Sequence, residues 1–287
     1  MQATAEQGSL SLQEMIEAQI RSSDFELPVF STVALKLQTE LSNPDITIED
    51  IEALIMEDAS LAGQILRMAN SAFYKGLGEI NTVKRAILRL GAQQVANMAM
   101  LISQKQSYVS EDAAVARIMG KLWEHSFATA IGCRWIAENC GYAADANVAF
   151  LSGLLHDIGK VVILQVISDV QKQGTMAVSD QAIVEIINGE LHTEIGHKLI
   201  TAWALPEPFG AVVRDHHGPA DGEHKVLLAS VSLMNSVCLS MGFSVLEADS
   251  AIMPAATDEA NLLGLSEIQL AELEILLEDT LQADLGV

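Results

Sequence analysis

The stretch from residue 150 to 160 reads Phe-Leu-Ser-Gly-Leu-Leu-His-Asp-Ile-Gly-Lys, and it limits the fold more than any other part of the chain. Leu151, Leu154, Leu155, Ile158, Val161 and Val162 recur at helical spacing, which predicts a mostly buried helix. That helix nevertheless carries His156, Asp157 and Lys160. A charge on a buried face requires a partner or a cation. An imidazole beside a carboxylate offers two donors to one ion, and the carboxylate can bridge to a second. Lys160 lies one turn beyond His156, on the same face. Taken alone, the pair also suits a core histidine beside a capped carboxylate. The other histidines bear on that choice.

The surrounding chain has the same helical character. Apolar periodicity predicts helices over residues 9–22, 29–41, 48–57, 61–69, 83–90 and 92–103. In the second half it predicts 118–139, 147–167, 180–187, 191–203, 209–217, 226–241 and an acidic amphipathic helix over 266–281. Thr47 with Asp50 has the spacing of a capping box, and Ser60 and Thr82 precede two further helices as candidate caps. No segment alternates with period two, so no substantial sheet is expected. The fold class is all-α: a two-lobed helical bundle. A more polar passage at 108–112 divides it into 1–110, an N-terminal helical lobe, and 111–287, which holds the histidines and the acidic C-terminal helix.

Charge narrows the partners. The chain of 287 residues has 38 acidic against 16 basic residues, a formal net charge of −22. That opposes nucleic acid, whose phosphates need Lys and Arg, and equally an anionic membrane. Residues 226–246 carry no charge and could span a bilayer by length, yet their many serines fit a globular core better. Cys133, Cys140 and Cys238 form no C-x-x-C pair, and so odd and sparse a set fits a reducing compartment. With no leader-like N-terminus, a cytoplasmic location is expected. Lys84, Arg85 and Arg89 form the one basic cluster, read as a solvated helix face, and the eleven methionines as core filling. Arg67, Asn70 and Ser71 read as a helix-ending hydrogen-bond cluster.

His125, His156, His192, His216 and His217 come from four separate predicted helices and could converge on Asp157. His197, five residues after His192, reads as outside the ligand set, and His224 as exposed.

At this point the chain resembles a known family. Trp123-Glu124-His125-Ser126 and His156-Asp157-Ile158-Gly159-Lys160 are similar to the first two elements of the HD superfamily of metal-dependent phosphohydrolases. His192-Thr193-Glu194-Ile195-Gly196 and His216-His217 resemble further elements of its HD-GYP branch, the cyclic-dinucleotide phosphodiesterases. The first half resembles the HDOD family, the HD-related output domain of bacterial signalling. It does so through Leu27-Pro28, Asp58-Ala59-Ser60-Leu61, Leu66-Arg67-Met68-Ala69-Asn70-Ser71-Ala72 and Leu90-Gly91. The resemblance covers residues 27–241 and implies an HD-like second half. It implies metal ligands at His125, His156, Asp157, His192, His216 and His217, with Asn235 where the HD pattern has an aspartate. Asp157 and Lys160 would be the catalytic pair of an enzyme reading. The GYP tripeptide is missing after His217, and Ala59 stands where the family usually has proline.

Mixed imidazole and carboxylate donors suit Fe, Mn, Ni or Zn, as one ion or two. Two divalent ions against the single carboxylate of Asp157 leave a surplus of positive charge, which suits a phosphate-containing small molecule. Two readings follow. One is a signal-transduction module with a retained metal pocket, relaying a signal to a regulatory protein partner. The other is a metal-dependent phosphohydrolase or phosphodiesterase acting on a nucleotide or phosphodiester. The HDOD-like half, Asn235 and the missing GYP favour the first.

Overall fold

A computed structural model describes residues 12–20, 31–71, 74, 78–172 and 178–282. Every described element is helical. The first half contributes α1 (Leu12–Ile20), α2 (Thr32–Glu40), α3 (Ile48–Met56), α4 (Ala59–Ala69), α5 (Val83–Leu90) and α6 (Ala92–Lys105). The second contributes α7 (Ala113–Asn139), α8 (Ala146–Leu155), α9 (Ile158–Lys172), α10 (Asp180–Ile187), α11 (Leu191–Ala202), α12 (Glu207–Asp215), α13 (Lys225–Met241), α14 (Asp258–Leu263) and α15 (Glu267–Gln282). The expected helix ends at residues 9–11, 21–22 and 29–30 lie outside the described residues, as do Leu27 and Pro28.

Local chemistry sets the helix ends. Thr47 and Asp50 close the expected capping box, with the Thr47 amide donating to Asp50 Oδ2 at 3.0 Å and the Asp50 amide donating to Thr47 Oγ1 at 3.1 Å. Thr82 caps α5. Ser60 does not cap α4; Asp58 does, its Oδ1 accepting from the Leu61 amide at 3.0 Å, so the helix begins earlier. Helix α7 likewise starts at Ala113 rather than 118, because Asp112 Oδ1 accepts from the amides of Ala114 and Val115. Gly91 joins α5 to α6 at φ +89°, a conformation that only glycine takes without strain. Asn70 closes α4 by bonding both ways with Ile80, and Lys84, Arg85 and Arg89 each bond a neighbour on the surface.

The largest departure is at the opening stretch. The single helix expected over 147–167 is two helices, interrupted at His156–Asp157. The apolar pattern continues across the break, so periodicity does not reveal it. Among the described residues, α8 and α9, rather than the uncharged run of α13, form the longest apolar segment. Over 143–172 its most apolar window is 94% buried inside the protein.

One contiguous core runs from Ile16 in α1 to Leu277 in α15. Within it, α6 is buried from Gln94 to Gln104 and packs on α2, α4 and α5 on one side and α8 on the other. The passage at 108–112 lies between α6 and α7, and the core continues past it. Helix α7 packs along α8, α13 lies on α7, and α11 sits between α9 and α12. Met68, Met98, Met100, Met119 and Met234 fill the core as expected, whereas Met56 and Met253 are exposed.

Two glycines allow the close approach of these helices. A Cβ at Gly153 would stand 2.7 Å from the Thr129 carbonyl oxygen, and one at Gly159 would stand 1.9 Å from the His192 carbonyl oxygen. In both cases the obstacle is backbone, which cannot rotate away. We expect Gly159→Ala to lower stability by about 3 kcal/mol or to prevent folding, the upper end of the cost of overpacking. Gly63, inside α4 with nothing within 4 Å of its Cβ position, is the control. Gly63→Ala should gain up to ~1 kcal/mol. Urea denaturation of the two variants measures both.

Candidate metal centre

The break between α8 and α9 places Asp157 at the start of α9, where it is 1% exposed. Its two oxygens face different histidines. Oδ2 lies 3.3 Å from His156 Nε2, 3.6 Å from His125 Nε2 and 2.8 Å from Lys160 Nζ. Oδ1 lies 3.5 Å from both His192 Nε2 and His216 Nε2. The nitrogens also approach one another: His125 to His156 at 3.2 Å, His192 to His216 at 3.5 Å, and His217 to His192 at 3.1 Å. The rings come from α7, the α8–α9 turn, α11 and the end of α12. His125, His156, His192 and His216 are buried, and His217 stands at the exposed rim. The structure therefore brings together all five histidines singled out in the sequence.

The outward ring nitrogens determine what the inward ones can do. Nδ1 of His156 donates to the Gly153 carbonyl at 2.8 Å, that of His192 to Gly189 at 2.6 Å, and that of His125 to Phe243 at 3.1 Å. Nδ1 of His216 donates to Val213 at 3.1 Å. A carbonyl oxygen only accepts, so each Nδ1 carries the proton, and each Nε2 presents a lone pair to the interior. Lone pairs at 3.2 to 3.5 Å from one another repel unless a cation lies among them. Burial pushes His125 and His192 down to about 3 and His217 to about 4, and it lowers His216 as well. These rings stay neutral at pH 7. Burial alone would raise the Asp157 carboxyl, but the Lys160 ammonium heads the opposing effects and holds it well below the usual carboxylate range.

Two sets of donor atoms share the carboxylate: His125, His156 and Asp157, and Asp157, His192, His216 and His217, each within 4.8 Å. Among the buried oxygens without a hydrogen-bond partner are Asp157 Oδ1 and Asn235 Oδ1. Both residues line a cleft of about 260 Å3 together with His125, Lys160, His216 and His217. Orphaned acceptors beside converging lone pairs fit one or two cations.

Sequence reasoning missed Asn188. It ends α10 and accepts from Lys160 Nζ at 3.0 Å through Oδ1. It also missed the wall of Ser232, Ser236 and Leu239, which flank Asn235 on α13 at the spacing of one helix face. That spacing was present in the sequence; nothing there linked it to Asp157. His197 donates to the Gly210 carbonyl and joins α11 to α12, outside the cluster. His224 is not exposed as expected but half-buried, bonded to Glu207.

The family model of the HDOD domain matches residues 27–219, more than half of the chain. An uncharacterised protein of Treponema pallidum is 26% identical over 217 residues; the match takes 73% of this chain but only 42% of that protein. Among solved structures, the fold is similar to an HDOD domain protein of unknown function from Geobacter sulfurreducens. That likeness has a TM-score of 0.71 and 20% identity, over 94% of this chain and 96% of the other. It is also similar to a protein of Shewanella amazonensis SB2B provisionally described as a metal-dependent phosphohydrolase, with a TM-score of 0.73 and 17% identity, over 94% and 98%. A Marinobacter aquaeolei VT8 protein provisionally described as acting in signal transduction matches with a TM-score of 0.67 and 22% identity, over 94% and 62%.

The depressed histidines predict how the metal-free protein responds to acid. The folded rings resist protonation until about pH 3 to 4, whereas unfolded histidine protonates near 6.5. Below about pH 6.5 the unfolded chain therefore binds more protons, and stability falls with falling pH. Chelator-treated protein should show a Tm that declines steadily from about pH 6.5 to pH 4. A flat Tm over that window would contradict the neutral, buried state of the rings.

Proposed function

The chain belongs to the HDOD family, and from that premise we propose that it is a signal-transduction module with a metal-binding pocket, relaying the state of that pocket to a regulatory protein partner. The carrying observation is the single carboxylate of Asp157 shared between two sets of inward imidazole lone pairs. We assign the donors to a divalent transition metal, Fe, Mn, Ni or Zn, as one ion or two. His125, His156 and Asp157 would hold one; Asp157, His192, His216 and His217 would hold the other. Asn235 offers a neutral amide oxygen at the same cleft, a weaker donor than the aspartate of the HD pattern. When bound, the metal would supply positive charge that polarises a phosphate oxygen.

The chain's own residues favour an anion. Lys160 gives one ammonium proton to Asp157 and one to Asn188, leaving the third for an incoming oxygen. The cleft is smaller than a typical drug-sized pocket of about 300 Å3 or more. A phosphate group or the phosphate end of a small molecule is the ligand class that suits it. The net charge of −22 argues against nucleic acid and anionic membranes as partners. The Treponema relative supports a modular reading, because its matching region lies within a much longer chain.

A second reading, a metal-dependent phosphohydrolase, draws on the spare proton of Lys160 beside the complete histidine cluster. In that case Lys160 would stabilise negative charge on phosphoryl oxygens. Asn235 weighs against it, since an amide adds no negative charge to the donor set.

Metal analysis of protein purified from supplemented medium should find one to two equivalents of transition metal, with a marked loss in His156→Ala. Calorimetry should then detect inorganic phosphate binding to the wild type alone. Metal-free wild-type protein would overturn the reading. Hydrolysis of bis-p-nitrophenyl phosphate with added Mn or Fe should stay at the background rate. Turnover that His156→Ala abolishes would establish the phosphohydrolase instead.

A further inference from the structure

The break between α8 and α9 interrupts the helical ladder immediately before Asp157, and nearby carbonyls take other partners. The Ser152 carbonyl still takes the last ladder bond, from the His156 amide at 3.0 Å, but the Gly153 carbonyl accepts from the His156 ring at 2.8 Å. The Leu154 carbonyl accepts from Gln104 Nε2 at 2.9 Å. Gln104 belongs to α6, in the N-terminal lobe, and is fully buried. Its Nε2 also donates to Tyr108 Oη at 3.0 Å, and that oxygen lies 3.2 Å from Ser126 Oγ. Ser126 adjoins His125 in the chain, and Leu154 stands two residues before His156. One side chain of the first lobe thus holds the carbonyl two residues before His156 and is linked, through Tyr108, to the residue after His125.

Gln104 makes these contacts at a cost. Its Oε1 is buried without a partner, which a residue selected for packing would avoid by being Leu or Met. Asn97 offers an internal comparison. It lies seven residues earlier on α6 and donates to the Asn147 carbonyl at 3.0 Å, while its Oδ1 accepts from Gln38 at 3.1 Å. Asn97 therefore grips the start of α8 with both polar atoms satisfied, roughly 13 Å along the helix from His156.

We propose that Gln104 is a positioning residue for the metal centre: by holding the Leu154 carbonyl at the helix break, it sets His156 and Asp157 and links the N-terminal lobe to the pocket. The proposal rests on the metal-centre reading above and adds the route by which the other lobe controls it.

The test compares Gln104→Met with Asn97→Leu, measuring Zn2+ affinity by chelator competition, Tm, and the His156 ring nitrogen resonances in metal-free protein. Gln104→Met removes the orphaned Oε1 but leaves the Leu154 carbonyl without its donor, so it should lower Tm no more than Asn97→Leu does while weakening Zn2+ binding at least about tenfold, the range for residues that orient ligands. Asn97→Leu should lower Tm and leave affinity within about twofold, below what loss of an orienting contact produces. The His156 resonances should move in the first variant and stay in the second. Unchanged affinity in Gln104→Met, or an equal loss in both variants, overturns the proposal. Should Gln104→Met fail to fold, Gln104→Leu takes its place under the same criteria. A wild type that binds no Zn2+ defeats the metal-centre reading, and the resonances then decide: unmoved in Gln104→Met, they overturn the positioning role by themselves.

Discussion

The architecture depends on accommodating one carboxylate and a ring of imidazoles inside a mostly apolar bundle. Asp157 is buried, and its neighbours present lone pairs rather than protons. Such a set is unfavourable in a hydrophobic core without strong compensation. Lys160 provides part of it at 2.8 Å from Oδ2. Backbone carbonyls at Gly153, Gly189, Val213 and Phe243 provide orientation. What remains unbalanced is the space among the Nε2 atoms and the orphaned oxygens of Asp157 and Asn235. That imbalance favours positive charge, and it is the physical basis of the metal-centre reading.

The helices are arranged around this imbalance. Glycine at 153 lets α8 touch the backbone of α7, and glycine at 159 lets α9 touch the backbone of α11. Those are the contacts that bring His125 and His192 to opposite oxygens of the same carboxylate. The interruption between α8 and α9 falls at this pair, His156–Asp157. Close approach and helix break are separate features that meet at Asp157.

How much of this could be read beforehand varied with the range of the interaction. The all-helical class and most element limits followed from periodicity, because helix packing repeats locally. The convergence of five histidines was legible as a candidate set, since the residue types and the HD-like strings pointed to one chemistry. The break within 147–167 was not, because Ile158 and Val161 continue the apolar pattern of Leu151 and Leu154. Asp58 was passed over as the cap of α4 because Ser60 is an equally good local candidate. Asn188 and Gln104 were invisible for a different reason. A lone amide in a sequence carries no sign of the distant atom that it will meet.

The orientation of His125 introduces one more dependency. The carbonyl that holds its ring belongs to Phe243, just past the left-handed Gly242 that ends α13, where the chain sets out toward α14 and α15. Beyond Lys225 that trailing portion carries no basic residue. Its acidic side chains repel one another, and dissolved ions damp the repulsion. The pose of a single buried imidazole is thereby tied to how the chain leaves α13 for an acidic portion that must seat against its own repulsion.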